Sequence, residues 1–263
     1  MKGYILIDGS NVGFANTANK KLTVGDQEVQ GFYGLLRWLR PVVAMYPMLK
    51  PIVLWDGISW RYESFPEYKA ARNKEPVTKQ EIQMAALRDS FKSQRPMMVE
   101  ALKLIGVTQM RSFNLEADDL AAMLVRRWRG TGQKIMLISG DKDWIQLVGP
   151  GVGWYDPIRD LRITEKTIEE KLGFRDEKTD TWYGVPSAQA WLEIKALMGD
   201  TSDGIPGVGG IGEKGATLFL RTYGSVVKFR NAVMDKSIDV ATLPKKFRDL
   251  IEDENKQIGR ASC

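Results

Sequence analysis

Residues 4–11 have the sequence Tyr-Ile-Leu-Ile-Asp-Gly-Ser-Asn, four apolar residues followed by an acid and a glycine. The apolar run predicts a buried strand, and the Asp-Gly pair after it predicts a turn. Two later segments repeat this arrangement: residues 51–55 precede Asp56-Gly57, and residues 134–138 precede Ser139-Gly140-Asp141. Three buried strands are therefore each predicted to deliver an aspartate at the carboxyl end.

Helical patterns separate these strands. One covers residues 32–43, and a longer one covers about 79–105, which we expect to be kinked or broken near Pro96. A third covers 116–128, with an apolar side formed by Leu120, Met123, Leu124 and Trp128. Strands that alternate with helices predict an α/β fold with a doubly wound, mostly parallel sheet.

The pattern becomes helical after residue 187. Two helices are predicted, 188–198 and 213–223, joined by a glycine-rich turn over 199–212. We therefore expect an α/β core over 1–186, which includes a basic, aromatic and poorly periodic stretch over 58–78, and a helical region over 187–263.

Composition narrows the chemistry. The 263 residues include no histidine and one cysteine, Cys263, which excludes histidine-dependent triads, His-ligated zinc and thiolate metal sites. With no apolar run of membrane-spanning length and no disulfide framework, we expect a cytoplasmic protein without a membrane partner. A net charge of +5 favours a polyanionic partner.

The acidic residues form the main functional signal. Each acid taken alone is explained by a turn or a helix cap, but neither explains why three strands should end in aspartate at one edge of a sheet. The opening of the third helix and the glycine-rich turn contribute further acids. The full set is Asp8, Asp56, Glu116, Asp118, Asp119, Asp141, Asp143, Asp200 and Asp203. Ligands that are all oxygen predict Mg²⁺ or Mn²⁺.

A basic segment, residues 60–72, follows the second strand. Lys69 and Arg72 are spaced i, i+3, so both can reach one phosphate, while Arg61 and Tyr68 add charge and an aromatic ring for unpaired bases. A solvated loop is the alternative interpretation.

The glycines Gly207, Gly209, Gly210 and Gly212 match G-x-G-x-x-G, but a helix precedes them where a dinucleotide site needs a strand. Two helices joined by a glycine hairpin favour contact between backbone N–H groups and a DNA phosphate, with Lys214 at the start of the second helix. A plain connection between two helices is the alternative.

These motifs together resemble the 5′ nuclease, or flap endonuclease, family, which includes phage 5′–3′ exonucleases and the 5′-nuclease domain of bacterial DNA polymerase I. The resemblance covers about residues 4–225. Its motifs lie at residues 7–11, 54–57, 66–72, 116–119, 140–143 and 199–216.

The resemblance implies a PIN-like core, a helical arch over 58–95 and a C-terminal helix-hairpin-helix. It assigns a first metal to Asp8, Asp56, Glu116, Asp118, Asp119 and Asp141, and a second metal to Asp143, Asp200 and Asp203. Lys69 and Arg72 would contact the scissile phosphate, and backbone carbonyls near Val208 and Ile211 would hold K⁺, as in some members.

We therefore expect a structure-specific 5′ nuclease that hydrolyses branched or 5′-ended DNA with two Mg²⁺ ions, which Mn²⁺ can replace, and leaves 5′-phosphate products. The expected catalytic residues are Asp8, Lys69, Arg72, Asp118 and Asp141. RNA/DNA hybrids stay open as substrates, and the chain is expected to be a monomer. The alternatives are a PIN-like ribonuclease and a catalytically inactive protein that binds branched DNA.

Overall fold

The structure, a computed structural model, describes residues 2–245 and 247–248, apart from the side chains of Ala71 and Asn73. The chain divides into two compact units. The first contains residues 1–64 and 74–162, and the second contains residues 65–73 and the chain from Ile163 onward. The predicted boundary between residues 186 and 187 stays a prediction, and the C-terminal Cys263 lies outside the described residues.

The first unit alternates strands and helices. Its elements are β1 (Gly3–Asp8), α1 (Gly9–Thr17), β2 (Thr23–Val24), β3 (Gln27–Glu28), α2 (Gln30–Met45), β4 (Leu49–Trp55), α3 (Arg61–Ser64), α4 (Lys79–Leu104), β5 (Thr108–Arg111), α5 (Ala117–Trp128), β6 (Lys134–Ile138), a 3-10 helix (Lys142–Leu147), β7 (Val152–Asp156) and β8 (Leu161–Ile163).

The main sheet has the strand order β5-β4-β1-β6-β7-β8, with β1 paired in parallel to both β4 and β6. The pairs β4–β5 and β6–β7 are also parallel. The predicted doubly wound α/β fold is confirmed, and the three predicted strands are the adjacent central strands.

Helices cover both faces of this sheet. Successive side chains of a strand point to opposite faces, so a strand whose side chains are all apolar must be covered on both. Ile5 and Ile7 of β1 are fully buried in one cluster with apolar residues of α1, α2 and α4. Leu6, also fully buried, points to the opposite face, and α5 packs against β1, β4 and β5. Burial on both faces explains why these strands are continuous apolar runs.

Three local predictions were wrong. The predicted turn after β1 is the start of α1, because Asp8 caps that helix by accepting a hydrogen bond from Asn11 N at 2.9 Å. The predicted break at Pro96 is wrong, because α4 continues to Leu104, while the alternative of a kink there stays a prediction. Met123 was placed on the apolar side of α5, but it is 59% exposed; the buried residues are Ala117, Leu120, Ala121 and Val125.

The second unit is largely helical. Its elements are a 3-10 helix (Ala70–Asn73), α6 (Ile168–Lys171), β9 (Gly173–Asp176), β10 (Thr181–Gly184), α7 (Ala188–Met198), β11 (Gly199–Asp200), β12 (Ile205–Pro206), α8 (Glu213–Tyr223), α9 (Val226–Met234) and a 3-10 helix (Val240–Thr242).

Helices α7 and α8 confirm the two predicted helices at their predicted bounds. They pack together through buried side chains that include Trp191 and Phe219. Among the residues that the structure describes, none of the helices is both long and apolar enough to cross a membrane.

Candidate active site

The acidic residues of the three central strands lie at one edge of the sheet. Asp8 is the last residue of β1, Asp56 directly follows β4, and Asp141 lies three residues after β6. The parallel register aligns these strand ends, since Asp8 pairs with Leu54 of β4 and Ile7 pairs with Ile138 of β6. The predicted gathering of aspartates at the carboxyl edge is therefore present.

Asp8 is the most enclosed of the three, with 6% of its surface exposed. One carboxylate oxygen caps α1, and the other accepts a hydrogen bond from Ser139 Oγ at 2.8 Å. The loop after β6 is fixed in turn by two contacts: Asp141 N donates to Ser139 Oγ at 3.0 Å, and Gly140 N donates to Asn11 Oδ1 at 2.8 Å. Hydroxyl and amide side chains therefore hold the ends of β1 and β6 together.

The N-terminus of α5 is tied to the same edge. Ala117 N donates to Asp56 Oδ1 at 2.8 Å, and Trp144 Nε1 donates to Asp118 Oδ1 at 2.5 Å. Gly57 permits the close approach of this loop, since a Cβ there would lie 1.9 Å from the carbonyl oxygen of Ser112. The Asp56-Gly57 pair is thus a packing point between β4 and the start of α5.

The carboxylates at this edge repel one another. Burial and then the charge of Asp56, with a smaller effect from the charge of Asp141, raise the pKa of Asp8 to about 7, against the hydrogen bonds from Asn11 and Ser139 that lower it. Burial, followed by the charges of Asp8 and Asp141, raises the pKa of Asp118 well above its ordinary value. Asp8, Asp56, Asp118 and Asp141, here called the acid cluster, therefore form one electrostatic group.

The donor chemistry of the acid cluster fits a hard divalent cation, because carboxylates that destabilise one another gain most from such an ion. Within the described residues, however, no three acidic side chains already lie in the arrangement of a complete ligand set. Protein donors hold several carboxylate oxygens instead, as described for Asp8, Asp56 and Asp118. We expect metal binding to exchange some of these hydrogen bonds for ligand bonds.

Glu116 and Asp119 have a different partner. Arg61 Nη1 lies 3.1 Å from Glu116 Oε2, and both Nη atoms of Arg61 donate to Asp119 at 3.0 Å. Asp119 also accepts a hydrogen bond from Glu116 N at 2.9 Å, which caps α5. Arg61, which was predicted to contact DNA, here pairs with two predicted metal ligands. The roles assigned to these three residues from the sequence stay predictions.

We expect Arg61→Gln to lower the free energy of unfolding by about 2–4 kcal/mol, because it leaves two largely enclosed carboxylates without their cation. Only 18% of the Arg61 side chain and 9% of the Glu116 side chain are exposed. Urea denaturation measures the effect. The matched control is Lys103→Gln, which breaks the exposed pair with Glu100 and should cost at most about 0.5 kcal/mol. If the two variants lose equal amounts of the free energy of unfolding, Arg61 does not stabilise the enclosed carboxylates.

The raised pKa of Asp8 gives the metal-free protein a pH-dependent stability. Between its unfolded pKa near 3.8 and its folded pKa of about 7, the folded state holds a proton that the unfolded state has lost. Stability therefore falls as the pH rises through this window, and stays low above it. In EDTA, Asp8→Asn should raise the melting temperature by about 5 °C at about pH 8, and by much less near pH 4.

Differential scanning calorimetry at several pH values checks this prediction. Asp89→Asn, which changes an exposed carboxylate of α4, is the control and should leave the pH profile of wild type unchanged. If Asp8→Asn lowers the melting temperature at both pH values, its carboxylate is not destabilised in the folded protein.

The second unit contains the remaining predicted acids and cations. Arg72 Nη2 lies 2.7 Å from Asp203 Oδ1, Lys69 Nζ lies 3.8 Å from Asp203 Oδ2, and Lys69 N donates to the carbonyl of Asp203 at 3.0 Å. Lys69 adopts a left-handed backbone conformation, with φ of 55°, just before the 3-10 helix. The two cations therefore converge on one anionic group, and their predicted contact with a phosphate stays a prediction.

Asp200 is paired with Lys195 at 2.8 Å. Partial burial would raise its pKa, but hydrogen bonds from Lys195 and Ser202 outweigh burial and lower it. Tyr68 is only 4% exposed, so its ring is not offered to an unpaired base as we had expected. The assignment of Asp143, Asp200 and Asp203 to a second metal stays a prediction.

The glycine-rich turn joins α7 to α8 as predicted. Gly210 has a φ of 75°, and a Cβ at Gly209, Gly210 or Gly212 would meet no atom within 4 Å. The backbone before α8 is thus open to close approach. Ile211 N donates to the carbonyl of Val208 at 3.0 Å, and Lys214 Nζ lies 5.3 Å from the centre of the Phe174 ring. The predicted K⁺ and DNA contacts of this turn stay predictions.

Sequence reasoning missed three residues that organise the acid cluster. Ser139 donates a hydrogen bond to Asp8, and Trp144 donates one to Asp118. The side chain of Asn11 holds the loop that carries Asp141, because it accepts a hydrogen bond from Gly140 N. Asn11 and Ser139 lie within the quoted motifs, so the signal was present but was interpreted as turn chemistry. Trp144 had no such signal, because its contact with Asp118 joins residues of two different elements.

Two family models match the chain. The model described as 5′-3′ exonuclease, N-terminal resolvase-like domain, matches residues 3–173, and the one described as 5′-3′ exonuclease, C-terminal SAM fold, matches residues 186–261. DNA polymerase I of Bacillus caldotenax is 32% identical over 229 residues, which is 86% of this chain. Thermostable DNA polymerase I of Thermus filiformis is 30% identical over 234 residues. The matched segments make up 24% of each polymerase.

Solved structures share the fold. The T5 5′-exonuclease with bound zinc superimposes with a TM-score of 0.75 at 23% identity, covering 99% of this chain and 88% of that protein. The T5 D15 flap endonuclease in a pseudo-enzyme-product complex with DNA and metal ions has a TM-score of 0.73 at 24% identity, with the same coverage.

Proposed function

Because the chain belongs to the 5′-3′ exonuclease family, we propose that it is a Mg²⁺-dependent, structure-specific 5′ nuclease acting on DNA as an exonuclease and a flap endonuclease. The observation that carries this proposal is the acid cluster, in which burial and mutual repulsion raise the pKa values of Asp8 and Asp118. Structural carboxylates are normally paired with cations, whereas perturbed carboxylates gathered at a sheet edge are typical of a functional site.

The proposed cofactors are two Mg²⁺ ions, with Mn²⁺ as a substitute. Asp8, Asp56, Asp118 and Asp141 would hold the first ion, with Glu116 and Asp119 in its surroundings, and Asp143, Asp200 and Asp203 would hold the second. When bound, the ions lower the pKa of water and stabilise negative charge on the phosphate. A chain without histidine offers no imidazole base for this purpose.

The chain's own residues would position the substrate. Lys69 and Arg72 converge on the carboxylate of Asp203 and would exchange that anion for a phosphate. Water adds to phosphorus, the bond to the 3′ oxygen breaks, and that oxygen takes a proton. The products are a 3′ hydroxyl and a 5′ phosphate.

The glycine-rich turn would hold duplex DNA through backbone N–H groups, aided by Lys214, with K⁺ at the carbonyls of Val208 and Ile211. The open space beside Gly209, Gly210 and Gly212 supports this use. We further propose branched or 5′-ended DNA as the substrate, with RNA/DNA hybrid as a second substrate, and a monomer acting in the cytoplasm during DNA replication and repair.

A comparison of substrates tests the proposal. Purified protein with Mg²⁺ is offered a 5′-flap DNA, the matching nicked duplex without a flap, and single-stranded RNA of the flap sequence. Preference for the DNA substrates, with the flap cut near its junction, supports the proposal. Preference for RNA would replace it with a PIN-like ribonuclease. Tight binding of flap DNA without cleavage in Mg²⁺ or Mn²⁺ would replace it with a catalytically inactive DNA-binding protein.

A further inference from the structure

A positively charged cavity lies in the first unit beside the acid cluster. It has a volume of about 530 Å³ and is lined by the side chains of α4, β4 and β5. Its cations are Lys92 and Arg95 on α4 and Arg111 at the end of β5. A cavity of this volume is in the range that accommodates a small ligand or part of a larger one.

The two arginines are crowded together. Arg95 Nη2 donates to the carbonyl of Asp56 at 3.0 Å, and Arg111 Nε donates to the same oxygen at 3.2 Å. Arg95 also lies over the ring of Trp55, at 5.2 Å from its centre. Partial burial and then the charge of Arg111 lower the pKa of Arg95. Two guanidinium groups on one carbonyl repel each other and gain from an anion.

That anion is not supplied by the neighbouring side chains. Within the described residues, neither Arg95 nor Arg111 has a carboxylate within salt-bridge distance. Asp56 is close enough to favour the charge of Arg95, but its Oδ1 accepts a hydrogen bond from Ala117 N. Lys92 has only an exposed pair with Asp89. The cavity therefore holds an excess of positive charge, in contrast to Arg61, which has two carboxylate partners in Glu116 and Asp119.

The other residues that line the cavity indicate which chemical class of ligand it can bind. Gln109 is committed to Trp55 Nε1 and the carbonyl of Val99, so it offers no further specificity. Pro96, Val99 and Met110 add an apolar wall. Paired guanidinium groups suit a phosphate, and an apolar wall beside them suits a sugar or a base. The ligand class is therefore a phosphate linked to a nucleoside.

We propose that this cavity binds one phosphate group of a nucleic-acid strand, held by Arg95 and Arg111 with help from Lys92, while the attached nucleoside packs against Val99 and Met110. This inference rests on the proposed function and extends it, because a strand held here lies next to Asp56 of the acid cluster. The same chemistry would suit a free 5′-mononucleotide, the product of exonuclease action, so the test must separate the two sources.

The test compares the binding of a 5′-flap DNA and of thymidine 5′-monophosphate, with Ca²⁺ in place of Mg²⁺. Arg95→Gln and Arg111→Gln should each weaken flap-DNA binding about 10-fold, because each removes charged hydrogen bonds to phosphate. Each should also reduce the slope of log affinity against log salt by about 0.7. Because Arg95 also donates to the carbonyl of Asp56, Lys92→Gln is included as a third variant. The Lys92 side chain is exposed, so this substitution should leave the fold intact, and it should also weaken binding.

The control is Arg127→Gln, an exposed arginine in the last turn of α5, which changes the net charge by the same amount and should bind as wild type does. Loss of nucleotide binding with unchanged flap-DNA binding would support the cavity but assign it to the free product. If all three cavity variants match Arg127→Gln with both ligands, the inference is wrong. In that case, cleavage of flap DNA by the wild-type protein in Mg²⁺ would show that the proposed function holds although the cavity does not bind the strand.

Discussion

Asp8→Ala is expected to lower Mg²⁺-dependent cleavage of 5′-flap DNA by about 10³-fold or more, while DNA binding stays intact or becomes tighter. Asp8 is the most enclosed member of the acid cluster, and the others surround its charge. Under the proposed mechanism, its loss would remove one of the ligands of the first metal ion. It also removes a negative charge that repels phosphate, so affinity should not fall. Single-turnover cleavage and anisotropy titration measure the two effects.

The alanine variant also removes the cap of α1, which costs about 1 kcal/mol. Asp8→Asn separates the two effects, because its amide oxygen can still accept the hydrogen bond from Asn11 N while its charge is absent. Ser225→Ala, which removes the cap of α9, is the control for losing a cap elsewhere. Cleavage should be lost in both Asp8 variants and kept in Ser225→Ala. If Asp8→Asn cuts near the wild-type rate, Asp8 is not a metal ligand.

Arg72→Ala and Lys69→Ala are each expected to slow cleavage about 10²-fold, because each would remove a cation that the proposed mechanism places at the phosphate as negative charge develops. Both side chains already converge on one carboxylate, Asp203, which shows that one anion can be within reach of the two. Arg72→Lys should recover only part of the rate, because an ammonium group lacks the two-pronged geometry of guanidinium.

Lys74→Ala is the control for this pair, since it removes an exposed cation shortly after them in the chain and should cleave at the wild-type rate. The rate at saturating substrate is the informative quantity. If Arg72→Ala raises only the substrate concentration needed for half-maximal rate, the side chain binds DNA without assisting the bond-breaking step.

The central architecture could be predicted because each buried strand is an apolar run that ends in an acid. Parallel pairing then brings Asp8, Asp56 and Asp141 to one edge whatever the details of the helices. The start of α1 could not be predicted in the same way, because Asp-Gly suits a turn and a helix cap equally well. Helix α4 continues through Pro96 although proline is costly inside a helix, which local preference alone does not anticipate.

The partners of the charged residues were the least predictable part of the site. The sequence identified Glu116 and Asp119 as acids at a helix start, but not their pairing with Arg61, which lies 55 positions before Glu116. The contacts of Ser139 with Asp8 and of Trp144 with Asp118 likewise join separate elements. Such contacts depend on how elements pack, and periodicity within one element carries no information about them.

The most direct measurement is cleavage of a 5′-flap DNA whose flap strand is labelled at both ends, with Mg²⁺ compared against EDTA and against Ca²⁺. A Mg²⁺-dependent 5′ nuclease should cut in Mg²⁺ alone, close to the junction, and leave a 5′ phosphate on the downstream product. Cutting of equal rate in EDTA, or products with a 5′ hydroxyl, would contradict the proposed function.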